Sequence, residues 1–141
     1  MNRPLLAATL LAIVTTLAHT VVGTPEIEAP LLRSGLKFEL ILLLLACWHL
    51  VTAALAISSI ALGLALRPTV ARVRARARVR LVSYLWLSFG SVFILVALMY
   101  AGPSMLLQLP QWLLLLPVGA LGLWGARVDG WKQVGGGAAI A

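Results

Sequence analysis

Apolar residues fill this chain in four long blocks, with the polar residues gathered between them. The first block runs from about Pro4 to Val22, the second from about Phe38 to Leu66, the third from Leu81 to Ala101 and the fourth from about Met105 to Gly125. Each approaches or exceeds the ~20 residues with which a helix crosses a hydrocarbon core of ~30 Å. The second is long enough to tilt or to project a turn beyond the lipid. Gly23-Thr24-Pro25 and then Pro30 predict a break followed by a turn or a short re-entrant stretch, Pro68 stops the second block, and Gly102-Pro103 closes the third. Pro110 and Pro117 predict a bent or irregular start to the fourth. The expected fold is all-α: a four-transmembrane-helix bundle within a single domain, 1–134, followed by a flexible glycine-rich tail, 135–141.

Composition agrees and excludes a soluble domain. The chain has 141 residues, is 62% hydrophobic and only 11% charged, and has a mean hydropathy of +1.03; a globular protein of this size needs more charge to cover its surface. A cleaved secretory signal is the rival for the first block, because Met1-Asn2-Arg3 gives a basic start and Leu17-Ala18 a cleavage edge. The apolar stretch exceeds the ~7–15-residue core of such signals, which favours a retained span.

Charge sets the orientation. Six of the eleven basic residues, Arg67, Arg72, Arg74, Arg76, Arg78 and Arg80, lie in one stretch between the second and third blocks. Arginine-rich loops stay cytoplasmic, so an even number of spans puts both termini there too; Arg3, Arg127 and Lys132 agree. The Glu26/Glu28 loop and the 101–104 turn then face outward. The net charge of +7 reads as orientation and as contact of these six arginines with anionic lipids. Nucleic acid is not an expected partner, since neither a folded basic face nor an aromatic stacking surface is visible. The Val-Arg-Ala-Arg alternation has the period of a strand, but a lone strand would lack a partner; an interfacial helix or extended connector is expected. Trp112, Trp124 and Trp131 flank the fourth block as interfacial anchors.

Helices in lipid pack through small and hydrogen-bonding residues, and each block carries such a stripe. The first has Ala8, Ala12, Thr15, Thr16, His19 and Gly23; the second has His49, Thr52, Ala53, Ala56 and Gly63, with Ala46 at its edge. The third has Ser83, Gly90, Ala97 and Ala101, and the fourth Gly119, Gly122 and Ala126. Both histidines of the chain thus fall on packing stripes. Ionisable groups at membrane depth are costly unless they face the bundle interior. His19 is about one turn from the outer end of its helix and His49 ~15 Å into the second, so both belong to the outer half. Glu39 opens the second helix, where a carboxylate suits the helix N-terminus and also reaches toward a histidine. The candidate site is therefore His19, His49, Glu39 and Glu26, lined by Thr15, Thr16, Gly23, Trp48 and Thr52.

Several chemistries are open to such a set. Each imidazole can hydrogen-bond a threonine or a carbonyl and rivet two helices. Two histidines can hold a transition metal or ligate haem iron, although a full metal shell asks for three or four ligands. A His/Glu set can also pass protons or hold a small polar ligand. No phosphate-binding loop, dinucleotide fingerprint or nucleophile elbow occurs. The single Cys47 can form no disulfide within the chain.

The stretch Ala18-His19-Thr20-Val21-Val22-Gly23, with Pro30 downstream and Cys47-Trp48-His49-Leu50 beyond it, resembles a group of small bacterial four-span membrane proteins. In that group a His-Ser/Thr-x-x-Gly element ends the first helix and a Trp-His pair lies in the second. The resemblance covers the first half of the chain. It implies a multi-pass protein of the bacterial cytoplasmic (inner) membrane and draws attention to His19, Gly23, Trp48 and His49. It implies no reaction. Thr24 stands where similar sequences often carry a glutamate, and Glu26 is the nearest acid.

The expected function is non-enzymatic: a ligand-binding or accessory membrane subunit, as a homo-oligomer or with a partner protein in the bilayer. The alternatives are a haem- or metal-binding redox protein using His19 and His49, and a small transporter or proton-conducting oligomer. The latter needs a polar path to the cytoplasmic side, where the inner halves offer only Thr9, Ser58, Ser59 and Ser83.

Overall fold

The computed structural model describes residues 2–67 and 72–127. Among them the structure is helical, without strands: α1 (Arg3–Ala18), a π-turn (His19–Gly23), α2 (Thr24–Leu32), α3 (Phe38–Ala65), α4 (Arg72–Tyr100), α5 (Met105–Gln108) and α6 (Trp112–Arg127). Three stretches are long and apolar enough to cross a membrane: Arg3–Leu32, Phe38–Ala65 and Val73–Tyr100; α6 is a shorter apolar helix. A helix is the form such sequences take in lipid, because it satisfies its own backbone groups where no water can. The protein is accordingly a helical membrane protein with three to four long apolar helices.

The first helix does not stop at Gly23. It passes through the π-turn and continues as α2 to Leu32. Pro25 lacks an N–H and its ring crowds the carbonyl four residues back; a widened turn immediately before it relieves that conflict without ending the helix. Pro30 is accommodated within the last turn of α2. The rod closes only where the amides of Arg33 and Ser34 bond back to Pro30 and Leu31, and Gly35 turns the chain with φ 71°. The expected loop with Glu26 and Glu28 is thus mostly helix.

The arginine run is likewise helical, and it is continuous with the third span rather than a separate connector. From Arg72 onward it forms the first turns of α4, since a continuous helix satisfies every backbone group that a lone strand would leave open. The fourth block breaks at Pro110: α5 ends at Gln108 with Leu109 as its cap, and α6 begins at Trp112 and runs on through Pro117. The indole of Trp112 donates to the Leu106 carbonyl across that break (3.1 Å). Pro68, Trp131, Asp129, Lys132 and the tail 135–141 lie outside the described residues.

The packed core sits at the arginine-bearing end. Leu5, Ala8, Ala12 and Thr15 of α1 are buried at alternating spacings of three and four. They share one core with Leu55, Ser58, Ser59 and Leu62 of α3 and Leu115, Val118, Gly119 and Gly122 of α6, and α3 and α6 in turn pack on Val79, Ser83 and Trp86 of α4. Glycines set the helix spacing: a Cβ on Gly122 would lie 2.2 Å from Ser83 Oγ, and one on Gly125 would lie 2.9 Å from the backbone nitrogen of Leu5. Trp86 is fully buried and donates its indole N–H to Ser58 Oγ (2.9 Å). Asn2 joins two helix ends, accepting from the Leu5 amide as the α1 cap (3.1 Å) and donating to the Gly125 carbonyl (2.7 Å). Arg76 closes the end of α6 by donating from Nε to the Ala126 carbonyl.

Three of the four packing stripes match the buried faces closely, but α3 is rotated from expectation. Ala46, His49 and Ala53 are exposed, and the face turned inward is Trp48, Thr52, Leu55, Ser59 and Leu62. The small residues that allow close approach come from α1, so α3 can present leucine there. Ala101 is exposed as well.

Candidate functional site

The contact between the first span and α3, away from the arginine-bearing end, is built from side chains on the π-turn and the adjoining turns. His19 opens the π-turn, and its ring stacks on Trp48 of α3 with centroids 4.0 Å apart and planes 16° from parallel. Its Nε2 lies 3.1 Å from Thr52 Oγ1, and that hydroxyl donates to the Trp48 carbonyl (3.1 Å). With its proton so committed, Thr52 Oγ1 accepts, so Nε2 of His19 carries the hydrogen of this bond.

Two further bonds flank this one. Trp48 Nε1–H donates to Thr24 Oγ1 (3.1 Å) on one side. On the other, Thr16 Oγ1 gives its proton to the Ala12 carbonyl (2.8 Å) and lies 3.0 Å from Ser59 Oγ, so Ser59 is the donor. Read along the first span the partners are Thr16, His19 and Thr24; read along α3 they are Ser59, Thr52 and Trp48. The result is an antiparallel polar zipper of three rungs, with one stacked ring pair in its middle.

Gly23 completes it by absence of a side chain. A Cβ there would lie 2.9 Å from Trp48 Cζ2 and 3.1 Å from Cη2, so the indole passes directly over the glycine. The π-turn brings His19 and Gly23 to bear on the same indole, a use consistent with the occurrence of such turns at functional sites. At ~0.6 kcal/mol per interhelical bond in a membrane and ~0.5–1.5 kcal/mol for the ring pair, the zipper fixes the register of the two spans.

Of the residues expected at the site, His19, Trp48, Thr52, Thr16 and Gly23 are brought together. Thr15 is buried beside them and bonds to the Leu11 carbonyl (2.8 Å). His49 follows Trp48 directly but is exposed on α3, turned away from the zipper face. Glu39 is exposed in the first turn of α3, nine residues (~13.5 Å along the axis) from Trp48, and Glu26 is exposed on α2. Among the described residues no three His, Cys, Asp or Glu side chains converge as a metal shell would need. Arg67, Arg74, Arg76, Arg78 and Arg80 are exposed at the opposite end of the bundle, where Arg72 begins α4.

Thr24 and Ser59 were not legible as participants. Thr24 follows the expected helix break, and only the continuation of the helix brings it over the indole. Ser59 needed the true rotation of α3. No known protein family, curated protein or solved structure matches the chain.

Proposed function

We propose that the chain is a non-enzymatic accessory subunit of the bacterial cytoplasmic membrane. It crosses the bilayer four times, with both termini and the arginine-bearing end in the cytoplasm, and its zippered outer hairpin serves as a preset platform for a membrane partner. The observation that carries this reading is the closure of the His19 cluster. Thr52 takes the Nε2–H, Trp48 covers one face of the ring, and Trp48 is itself held by Thr24. An imidazole so engaged supports a helix-locking role more than a ligating one. The uneven packing supports it too: most of the buried residues, Leu5, Leu55, Leu62, Val79, Trp86 and Val118 among them, lie in the arginine-side half.

The test is metal analysis and an optical spectrum on detergent-purified protein, repeated for His19→Ala and His49→Ala. We expect no species lost in parallel from both variants, lowered stability for His19→Ala alone, and little change for His49→Ala. Equal loss of a chromophore or bound metal from both would overturn the reading in favour of co-ligation by the two histidines.

A further inference from the structure

The seam between α4 and α6 combines two features that lie on one continuous surface. On α4, Arg76, Arg80, Tyr84 and Leu87 recur at spacings of four, four and three, which is one face of a helix. On α6, Arg127, Leu123, Ala120, Leu116 and Leu113 recur at four, three, four and three, running the opposite way. At the arginine-bearing end, Arg76, Arg80, Tyr84, Leu123, Ala126 and Arg127 line a cavity of about 120 Å³. Farther along the same seam, Leu87, Trp112, Leu113, Leu116, Pro117 and Ala120 line an apolar groove of about 360 Å³.

Charge and length together define what fits. Three guanidinium groups with a phenol hydroxyl offer the forked donors that match a phosphate. Arg76 is held at the rim by its bond to the Ala126 carbonyl, which also offsets the negative end of α6. From Leu123 to Leu113 the seam rises ~15 Å, half of a ~30 Å hydrocarbon core. That is the depth of one acyl chain in one leaflet, reached directly from a headgroup site.

We propose that the α4–α6 seam binds one anionic phospholipid, its phosphate on Arg76, Arg80 and Arg127 with Tyr84, and one acyl chain along Leu87, Leu116 and Ala120. This rests on the membrane reading above but narrows a diffuse contact by all the loop arginines to a single site. Arg74 and Arg78 point roughly 160–200° around α4 from Arg76, so they carry equal charge without sharing the site. A purely diffuse attraction would treat the two sets alike.

The test is native mass spectrometry of the full chain in detergent, titrated with phosphatidylglycerol or phosphatidylcholine. Arg80→Gln/Arg127→Gln is compared with Arg74→Gln/Arg78→Gln; Arg76 is left intact because it closes α6. We expect one phosphatidylglycerol per chain, retained in preference to phosphatidylcholine, with the affinity lowered about 30-fold by the first pair and far less by the second. Ala120→Trp, which fills the groove and spares the arginines, should also lower retention. Glycerol 3-phosphate, the headgroup without chains, should not displace the lipid. Equal effects of the two pairs, no preference for the anionic lipid, an unaffected Ala120→Trp or displacement by glycerol 3-phosphate would each overturn the proposal. None of these results would alter the readout for His19 and His49, so the two readings fail separately.

Discussion

Gly23→Ala offers the sharpest test of the zipper, because two effects of known sign compete at one atom. In a helix, replacing glycine by alanine is ordinarily favourable by up to ~1 kcal/mol. Here the new Cβ would lie 2.9 Å from Trp48 Cζ2 and 3.1 Å from Cη2. Restoring a normal carbon–carbon contact of ~3.5 Å or more requires the indole to retreat by about 0.6 Å. That ring is fixed by its stack on His19 and by its bond to Thr24, so it cannot swing away without loss. Overpacking of this kind costs ~1–3 kcal/mol, and loosening the ring pair adds part of its ~0.5–1.5 kcal/mol. The clash outweighs the propensity gain, and Gly23→Ala should destabilise by about 1–2 kcal/mol.

Trp48→Phe removes the two carbons that the new methyl would strike. In that background Gly23→Ala should be neutral or stabilising, because the propensity gain is left unopposed. The assay is reversible unfolding in mixed micelles by titration with sodium dodecyl sulfate, followed by far-ultraviolet circular dichroism, on the four proteins of the cycle. The double variant should be more stable than the sum of the single effects predicts by at least about 1 kcal/mol. Additivity within ~0.5 kcal/mol would refute the reasoning, since the indole could not then be lying over Gly23.

Two other outcomes follow from the opposite end of the bundle and from the threading. Asn2→Ala should lower stability by about 1–2 kcal/mol in the same assay, because it removes both the α1 cap and the bond to Gly125; Asn2→Asp keeps the cap acceptor, loses the donor, and should recover only part, whereas full recovery would show that the bond to Gly125 contributes nothing. In a Cys47→Ser background, an impermeant thiol reagent added to intact cells should label Ser34→Cys, and should label Arg74→Cys only after permeabilisation; the reverse pattern would invert the proposed orientation.

Much of the first-span half of the zipper could be read from residue spacing. Ala8, Ala12, Thr15, Thr16, His19 and Gly23 share one face at any plausible helix boundary, and the structure turns that face inward. The second span was harder because it is apolar all round, so its rotation is not written in its polarity. His49 and Trp48 are neighbours in sequence but 100° apart on a helix; only one can face the first span, and the larger aromatic surface occupies that side. Glu39 and Glu26 fit the chemistry of a polar site, yet Glu39 is held away by helix length, and Glu26, two residues past Thr24, by facing roughly 200° around the helix from it.

The sequence by itself determined that this chain is a helical membrane protein, because ~20-residue apolar blocks leave the backbone no other way to satisfy its hydrogen bonds in lipid. Local chemistry also indicated where the fourth block would break, since Pro110 cannot continue a helix through its own position. Tertiary structure decided the rest: whether Gly23-Thr24-Pro25 ends a helix or widens it, which face of α3 turns inward, and which histidine is enclosed. These depend on how rigid surfaces fit across the bundle. An indole that needs a glycine beneath it and an imidazole beside it selects one rotation of α3, and a list of residues does not encode that fit until the helices are packed.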